Sequence, residues 1–302
     1  MARIALKIDV DTERGTREGV PRIVALLERL NVKATFLFSL GPDHTGRAIR
    51  RVFRRGFVQK AQRTSVLKHY GLRTLLYGTL LPGPHIGRRN RALLRDTAAR
   101  GFECGVHTYD HTRWQDGVMR ANEMWTRREM SAAQSLFADI FGEAALVHGA
   151  AGWQLNTYVP DLEYELGFQY ASDVRGTAPF MPVVNGLVSE VPQLPTTLPT
   201  LDELLGRTDL VGGDAITHLT ALTRTTGADQ VYTLHAELEG GAYLADFQRL
   251  LNAWCDQGHE LCDLATQFDS LDRDQLPRHE IALGAVEGRS GLLATQGAVW
   301  RG

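Results

Sequence analysis

The segment at residues 4–12, IALKIDVDT, begins as an apolar run and ends in two carboxylates. A short apolar run that stops at charge predicts a buried strand. Side chains two residues apart in a strand point to the same face, so we expect Asp9 and Asp11 to lie side by side. Such a pair suits a base next to a metal ligand, and it also fits phosphotransfer sites and loop caps.

Similar apolar runs recur along the chain and alternate with longer helical patterns. The predicted strands are residues 4–8, 34–40, 103–106, 170–172, 187–191 and 231–234, and the predicted helices are residues 19–30, 91–100, 123–141 and 242–257. This alternation indicates an α/β fold with a parallel sheet, either a barrel or an open doubly wound sheet. In both folds the chemistry gathers at the carboxyl ends of the strands.

Two histidines, His107 and His111, follow the predicted strand at residues 103–106. Imidazoles four residues apart can lie on one face of a helical turn and bind one cation, with a carboxylate completing a site that keeps open positions. The pair could also be a solvated surface pair. Its place after a strand, together with Asp9 and Asp11, favours a metal site.

A third histidine, His235, follows the predicted strand at residues 231–234. A single histidine at a strand end is more often structural than catalytic, so its weight comes from the other motifs. The series Asp-x-Asp, His-x-x-x-His and Leu-His, all at strand ends, resembles the NodB-type polysaccharide deacetylases over about residues 4–264. The resemblance implies a distorted barrel of the (β/α)7 type and the hydrolysis of an amide on a sugar.

The resemblance also implies roles for the matching residues. Asp9 corresponds to the general base and His235 to the general acid. Asp11, His107 and His111 correspond to the ligands of one divalent metal ion, which we expect to be Mn, Co or Zn.

One motif of the family departs from its usual form. Where typical members carry an arginine that orients the base, residues 148–153 of this chain read HGAAGW. We expect Arg175, in the nearby stretch SDVRG at residues 172–176, to replace that arginine in the catalytic group. Trp153 is expected to pack either against a sugar face or in the core.

A basic segment interrupts the α/β pattern. Residues 44–95 contain thirteen Lys or Arg and no Asp or Glu, whereas the rest of the chain has twenty basic and 35 acidic residues. Within the segment, apolar residues recur at helical spacing among arginines, and an apolar patch follows at residues 72–81. This pattern is typical of an interfacial anchor on anionic lipid, so we predict a membrane-interacting insertion at residues 44–95.

The insertion divides the predicted catalytic domain into residues 1–43 and 96–270. Residues 271–302 mix charge, Gly and Ser without a clear period, which predicts a loosely ordered tail. The apolar run near Met1 is too short for a signal peptide, and no stretch reaches the length of a membrane-spanning helix. We therefore expect a cytoplasmic protein that is peripheral on the inner face of the bacterial inner membrane.

Within the family, the chain is similar to deformylases that act on undecaprenyl-phosphate-linked 4-deoxy-4-formamido-L-arabinose. The similar stretches include KIDVDT at residues 7–12, RGTREGVP at 14–21 and HAELEG at 235–240. The resemblance implies release of formate from the lipid-linked sugar, a step of lipid A modification that lowers binding of polymyxin and other cationic peptides.

Substrate-binding candidates come from the insertion and from the motifs. Arginines of the insertion can hold the lipid phosphate through bidentate contacts, and acids near the site can contact the sugar or the product amine. The candidates are Arg50, Arg51, Arg54, Arg55, Trp153, Asp173, Glu237 and Glu239.

Two other functions remain open at the level of sequence. A cytoplasmic deacetylase or cyclic-amide hydrolase could act on a soluble substrate, with the insertion mediating oligomerisation. A basic membrane- or nucleic-acid-binding module would use the insertion to grip phosphates. The insertion has few aromatic residues for base stacking and a clear apolar face, so we expect no nucleic acid partner. The sequence leaves the oligomeric state undetermined.

Overall fold

The computed structural model describes residues 2–47 and 74–302 of the chain. These residues form a large parallel sheet covered by helices and a smaller mixed sheet. Half of the predicted insertion, residues 48–73, lies outside the described residues, and this half contains Arg50, Arg51, Arg54 and Arg55.

Eleven strands are present in the described residues. In chain order they are β1 (Arg3–Val10), β2 (Thr35–Ser39), β3 (Glu103–Thr108), β4 (Val147–His148), β5 (Tyr170–Ala171), β6 (Met181–Val184), β7 (Leu187–Val188), β8 (Gln230–His235), β9 (Glu260–Cys262), β10 (Arg278–Gly284) and β11 (Leu293–Val299). The large sheet has the order β5-β4-β3-β2-β1-β8, with β9 pairing to the beginning of β1, and all of its pairs are parallel. The predicted parallel α/β sheet is confirmed.

Strand β1 is buried on both faces, which is typical of a parallel sheet covered by helices. Its apolar residues at positions 4, 6, 8 and 10 belong to the main core of the protein. The alternate positions, Ala5, Lys7 and Asp9, point to the other face because side chains alternate along a strand. One strand therefore delivers a lysine and a carboxylate to the interior of the barrel.

The segment at residues 193–197 bridges the two edge strands of the large sheet. The backbone N–H of Leu194 donates to Ala171 of β5 at 2.8 Å, and that of Thr197 donates to Val231 of β8 at 3.1 Å. The sheet therefore curls into a barrel that is closed in part by irregular backbone. This arrangement agrees with the expected distorted barrel.

Ten α-helices of the described residues surround the sheet or join its strands. They are α1 (Val20–Leu30), α2 (Ile86–Arg89), α3 (Arg91–Ala99), α4 (His111–Gly117), α5 (Glu123–Phe141), α6 (Val159–Glu165), α7 (Leu201–Leu204), α8 (Ala215–Thr223), α9 (Leu244–Asp256) and α10 (Leu264–Asp269). The four predicted helices correspond to α1, α3, α5 and α9. Helix α5 has both expected end signals, because Asn122 caps its first turn and Gly142 ends it with φ of 89°.

The structure corrects the end of the predicted insertion. Residues 86–95 form α2 and the first half of α3, and Leu94 is part of the main core. The sequence prediction placed the end of the insertion too late, because the arginines of these short helices lie on their outer faces and continue the basic composition. This part of the segment therefore belongs to the helical layer of the barrel.

The predicted strand at residues 187–191 and the predicted loose tail also need correction. The strand is only the two residues of β7, which pairs with β6 in the small sheet. Residues 278–299 contain β10 and β11, which pair with each other, and β10 also pairs in parallel with β6. These strands are half exposed and mixed in polarity, so they carry no apolar period that sequence could reveal.

Among the described residues, none of the helices has both the length and the apolar character that crossing a bilayer requires.

Candidate functional site

The carboxyl ends of β1, β3 and β8 bring the predicted site residues together. Asp9 lies near the end of β1, and Asp11 follows one residue after that strand. His107 lies near the end of β3, and His235 is the last residue of β8, in register with Asp9. A site at the carboxyl end of a parallel sheet is the expected location for chemistry in this class of fold.

Three of these residues form a group that could hold one metal ion. Ligand atoms of Asp11, His107 and His111 all lie within 4.8 Å of one another. The Nε2 atoms of His107 and His111 lie 3.3 and 3.4 Å from the two carboxylate oxygens of Asp11. One carboxylate and two imidazoles are a donor set that suits a divalent transition metal.

The tautomer of His107 is fixed by its surroundings. Its Nδ1 lies 2.6 Å from the carbonyl oxygen of Gly149, and a carbonyl can only accept a hydrogen bond. Nδ1 must therefore carry a proton, so Nε2, which faces Asp11, is the ring nitrogen that can bind a cation. This second hydrogen bond is the usual way in which proteins orient a metal-binding imidazole.

The two histidines meet in a different way from the one expected. His107 is in a strand and His111 is the first residue of α4, so they do not share a helical turn. Asp110 caps α4 by accepting a hydrogen bond from the backbone N–H of Arg113 at 3.1 Å. The strand-to-helix turn still places the two rings 5.4 Å apart between centroids.

Charge and burial favour the protonation states that a metal needs. Burial raises the pKa of the Asp11 carboxyl, but the imidazoles of His111 and His107 outweigh burial and hold it well below its usual range. Burial also lowers the pKa of the His111 imidazole. An ionised carboxylate beside a neutral imidazole is the form that binds a cation.

Asp9 is buried inside the barrel next to Lys7. The Nζ of Lys7 lies 3.6 Å from one carboxylate oxygen of Asp9 and donates to the carbonyl of Ser172 at 2.8 Å. The other oxygen of Asp9 is buried and has no hydrogen-bond partner among the described residues. That oxygen is therefore available to accept a proton from a bound reactant.

Arg175 does not take the place expected for it. Its guanidinium pairs with Glu203 and donates to the carbonyl of Leu198 at 3.1 Å. The cation beside Asp9 is Lys7, two residues earlier on the same strand. The prediction for Arg175 was wrong because its backbone pairs with Thr196 and Thr295, which turns the side chain toward α7.

His235 faces an acid that the sequence did not single out. Its Nδ1 lies 3.8 Å from the carboxylate of Asp202 in α7. Burial lowers the pKa of His235, but the carboxylates of Asp202 and Asp11 outweigh it, so the pKa is raised above its ordinary value. The raised pKa favours the protonated form of His235, which is the form that can act as a general acid.

Trp153 packs in the core rather than on an open sugar face. Its side chain is only 2% exposed, and its Nε1–H donates to the hydroxyl of Thr196 at 3.1 Å. The ring stands edge to face with His235, at 6.5 Å between centroids. The prediction that Trp153 binds substrate is therefore corrected: the buried indole packs against the imidazole of His235.

Glu237 holds the backbone around the metal group. Its Oε1 accepts hydrogen bonds from the backbone N–H groups of Asp11 at 3.1 Å and Thr12 at 2.8 Å. The same oxygen approaches Gly15 so closely that a side chain there would overlap it. Oε1 of Glu237 is thus occupied at the end of β1, whereas Oε2 is buried without a hydrogen-bond partner among the described residues. The expected contact of Glu237 with the product amine stays a prediction.

Glu239 has a similar structural position. Its carboxylate accepts from the backbone N–H of His235 at 3.1 Å and from the hydroxyl of Tyr232 at 3.2 Å. The side chain is 1% exposed, so it does not face a substrate. Burial raises the pKa of Glu239 to about 7.

Asp173 is also buried, and it anchors the turn that carries Trp153. Its carboxylate accepts from the backbone N–H of Ala150 at 2.6 Å and from Gln193 at 2.9 Å. The Nδ1 of His148 lies 3.2 Å from Asp173 and 2.7 Å from Glu163. The predicted substrate contact of Asp173 is therefore corrected.

His148, Glu163 and Asp173 form a second group with the composition of a metal site. All three side chains are almost fully buried. A single nitrogen, Nδ1 of His148, contacts both acids at hydrogen-bonding distance, which fits shared protons. We therefore assign this group to structure.

Two residues of the site, Lys7 and Asp202, escaped the sequence analysis. The only sequence signal for Lys7 was a charged residue inside an otherwise apolar strand. Asp202 lies in an ordinary helix start with a capping box between Thr200 and Glu203. A capping signal predicts a helix and contains no information about His235.

Comparison with known proteins agrees with the geometry. The polysaccharide deacetylase family model matches residues 3–171. A probable 4-deoxy-4-formamido-L-arabinose-phosphoundecaprenol deformylase of Shewanella sediminis is 33% identical over 301 residues, covering 99% of this chain and 96% of the relative. A protein of Wigglesworthia glossinidia brevipalpis with the same name is 30% identical over 285 residues, covering 93% and 98%.

Solved structures share the fold at low sequence identity. A putative polysaccharide deacetylase from Mycobacterium smegmatis aligns with a TM-score of 0.63 and 17% identity, covering 94% of this chain and 95% of that one. Puue allantoinase aligns with a TM-score of 0.55 and 18% identity, covering 86% of each chain. At these identities the likeness concerns the fold alone.

Proposed function

The chain belongs to the polysaccharide deacetylase family and is a hydrolase of amide bonds, and we propose that it removes the formyl group from undecaprenyl-phosphate-linked 4-deoxy-4-formamido-L-arabinose. The products are formate and the lipid-linked amino sugar, which serves lipid A modification and resistance to polymyxin. The substrate follows from the two near-full-length relatives named for that deformylation. The observation that carries the chemistry is the cluster of Asp9 and His235 beside Asp11, His107 and His111.

The proposed metal ligands are Asp11, His107 and His111. The donor set fits a divalent ion, and one buried oxygen of Asp11 has no hydrogen-bond partner among the described residues. A metal ion in such a site polarises the amide carbonyl and lowers the pKa of water. Mn, Co and Zn all suit two imidazoles and a carboxylate, so loading experiments must identify the ion.

Asp9 is the proposed general base. Its unpartnered carboxylate oxygen can take a proton from the attacking water, while Lys7 holds the other oxygen through an ion pair at 3.6 Å. The water oxygen then bonds to the formyl carbon. A base fixed in one orientation inside the barrel loses little entropy when it reacts.

His235 is the proposed general acid. It occupies the position next to Asp9 on the neighbouring strand, and Asp202 and Asp11 favour its protonated form. The C–N bond breaks when the sugar nitrogen receives this proton, because an amine anion is a poor leaving group. The products are formate, which keeps the oxygen of the attacking water, and the free amine of the sugar.

The proposal also includes contact with the membrane. The lipid phosphate would bind Arg50, Arg51, Arg54 and Arg55, whose place next to apolar residues in the sequence favours an anionic bilayer surface. A substrate with an undecaprenyl chain requires the enzyme to work at a membrane, and we propose the cytoplasmic face. Binding to vesicles with and without anionic lipid tests this part separately.

The test of the function is formate release from the lipid-linked formamido sugar. Wild type is compared with His107→Ala after EDTA treatment and reloading with Mn²⁺, Co²⁺ or Zn²⁺. We expect release by the reloaded wild type, and a loss of at least about 100-fold in His107→Ala, because removal of a metal ligand costs more than removal of its supporting contacts.

His218→Ala provides the control, because His218 lies in α8 and its Nδ1 accepts a hydrogen bond from the backbone N–H of Val211. Its activity should match wild type. If folded, metal-loaded wild type released no formate, the deformylase assignment would fall. Activity on soluble acetamido sugars or cyclic amides would then identify the other kind of hydrolase.

A further inference from the structure

The loop between β10 and β11 reaches the catalytic site from the C-terminal end of the chain. Glu287 forms an ion pair with Arg207 at 2.9 Å, just beyond α7. Gly288 has φ of 82°, and its Cα approaches the backbone of Glu203 so closely that a side chain would overlap it. The loop is therefore fitted against α7, the helix that carries Asp202.

Arg289 in this loop contacts the Asp202 carboxylate through two nitrogens. One terminal nitrogen lies 2.9 Å from Oδ2 of Asp202, and the other donates to Oδ1 at 3.1 Å. The second nitrogen also donates to the hydroxyl of Thr200 at 3.1 Å. Two parallel contacts fix both the position and the rotation of a carboxylate, which a single charge cannot do.

The same guanidinium connects Asp202 to Glu203 and to Trp153. Its Nε donates to Glu203 at 2.8 Å, and Glu203 also pairs with Arg175. The guanidinium carbons of Arg289 and Arg175 lie 4.8 and 5.0 Å from the ring centroid of Trp153. Trp153 in turn packs against His235, so the loop supports the imidazole through both Asp202 and the indole.

We propose that Arg289 is a positioning residue for the general acid and that the loop between β10 and β11 therefore contributes to the catalytic apparatus. Arg289 holds the Asp202 carboxylate in the orientation that faces His235. The inference rests on the proposed function for its kinetic consequence. It assigns a catalytic purpose to a segment that lies beyond residues 3–171, where the chain matches the family model.

The electrostatics explain why Asp202 needs this partner. Asp202 and Glu203 are adjacent acids, and the Asp202 side chain is 30% exposed. Without Arg289 the two carboxylates repel, and Asp202 can turn to water, where it is better solvated. His235 would then lose the negative charge that lies 3.8 Å from its Nδ1.

The test compares formate release by wild type, Arg289→Ala, Arg289→Lys, Asp202→Asn and the double variant Arg289→Ala/Asp202→Asn. We expect Arg289→Ala to lower kcat by about tenfold or more while KM changes less, as is usual when a supporting contact of a catalytic group is lost. Arg289→Lys should recover part of kcat. The double variant should be no slower than Asp202→Asn, because both changes break the same contact.

Arg278→Ala is the matched control. Arg278 is in the same small sheet and stacks on Trp300 at 5.9 Å, so its loss tests the hairpin without touching Asp202. We expect wild-type kcat in this variant. Independent, additive losses from Arg289→Ala and Asp202→Asn, or equal losses in Arg289→Ala and Arg278→Ala, would overturn the inference.

A crystal structure of Arg289→Ala separates this inference from the deformylase assignment, because it needs no substrate. We expect the Asp202 carboxylate to move away from His235. An unchanged separation of 3.8 Å between Asp202 and His235 would overturn the positioning role, whatever the enzyme hydrolyses. If Arg289→Ala does not fold, Arg289→Lys provides the same comparison with its single ammonium group.

Discussion

Lys7 places a positive charge inside the barrel, where its side chain is fully buried. A buried ammonium is costly unless it is paired and hydrogen-bonded. Lys7 meets both conditions through Asp9 and the carbonyl of Ser172. These two contacts offset the cost, and the ion pair holds the carboxylate of Asp9, the proposed base.

The role of Lys7 leads to a first prediction. Lys7→Met should lower kcat by about 10- to 100-fold, because the Asp9 carboxylate loses its fixed partner. Stability should fall by about 1 to 3 kcal/mol, because the Ser172 carbonyl is left without its donor. Steady-state kinetics and urea unfolding measure the two effects.

The bound metal should be unaffected in Lys7→Met, since Lys7 contacts none of the proposed ligands. Lys33→Met is the matched control, because Lys33 lies in the connection before β2 and makes no contact with Asp9. Loss of metal from Lys7→Met, or wild-type kcat, would show that Lys7 does not act through Asp9.

At the scale of elements, the short 3-10 turn Ala151–Trp153 determines where the indole lies. Gly152 and Trp153 both have left-handed backbone, with φ of 64° and 52°. A tryptophan rarely adopts this conformation, and the surrounding contacts must impose it. The carboxylate of Asp173 does so from one side by holding the backbone of Ala150.

This turn gives a second prediction. Gly152→Ala should destabilise the protein by about 1 to 2 kcal/mol, which is the cost of a left-handed conformation for a residue with a side chain. It should also lower kcat, because the added carbon would overlap Gln115 and shift the neighbouring Trp153. Thermal unfolding and kcat should be measured together.

Gly142→Ala is the control for backbone strain alone. Gly142 ends α5 with φ of 89°, and an added carbon there meets open space. We expect a similar loss of stability with unchanged kcat. Equal effects of the two variants on kcat would argue against a role of the turn in the site.

At the scale of the whole molecule, the buried group of His148, Glu163 and Asp173 joins β4, α6 and the segment after β5. Burial lowers the pKa of His148, but Asp173 and Glu163 outweigh it and raise the pKa to about 10. Burial and Asp173 raise the pKa of Glu163 as well. The folded protein therefore keeps protons that the unfolded chain releases at neutral pH.

The third prediction concerns pH. Because the folded pKa of His148 is raised from 6.5 to about 10, its contribution to stability is complete below pH 6.5 and is lost as pH rises toward 10. The raised pKa of Glu163 acts in the same direction above its ordinary pKa of 4.5. The free energy of unfolding should fall by about 1.4 kcal/mol per pH unit for each retained proton.

Urea unfolding of wild type and His148→Gln between pH 7 and 9.5 measures this slope. The slope should be smaller in the variant, because one retained proton is gone. Parallel slopes would mean that His148 is neutral in the folded protein and that the acids share a proton without it.

The local sequence determined the parallel sheet and singled out the five proposed central site residues. Each of Asp9, Asp11, His107, His111 and His235 follows an apolar run whose strand character is visible without any partner. Because the carboxyl ends of parallel strands meet at one edge, their convergence followed from the fold class. Helices with clear caps and apolar period, such as α5, were predictable for the same reason.

Only the tertiary structure decided which polar groups meet. Lys7 rather than Arg175 reaches Asp9, and three acids predicted to contact the substrate accept hydrogen bonds from backbone: Asp173, Glu237 and Glu239. Arg289 comes to Asp202 from 87 residues away, through strands without an apolar period. A charged side chain can pair with any opposite charge, so its type does not specify the partner; the packing of distant segments brings one partner within reach.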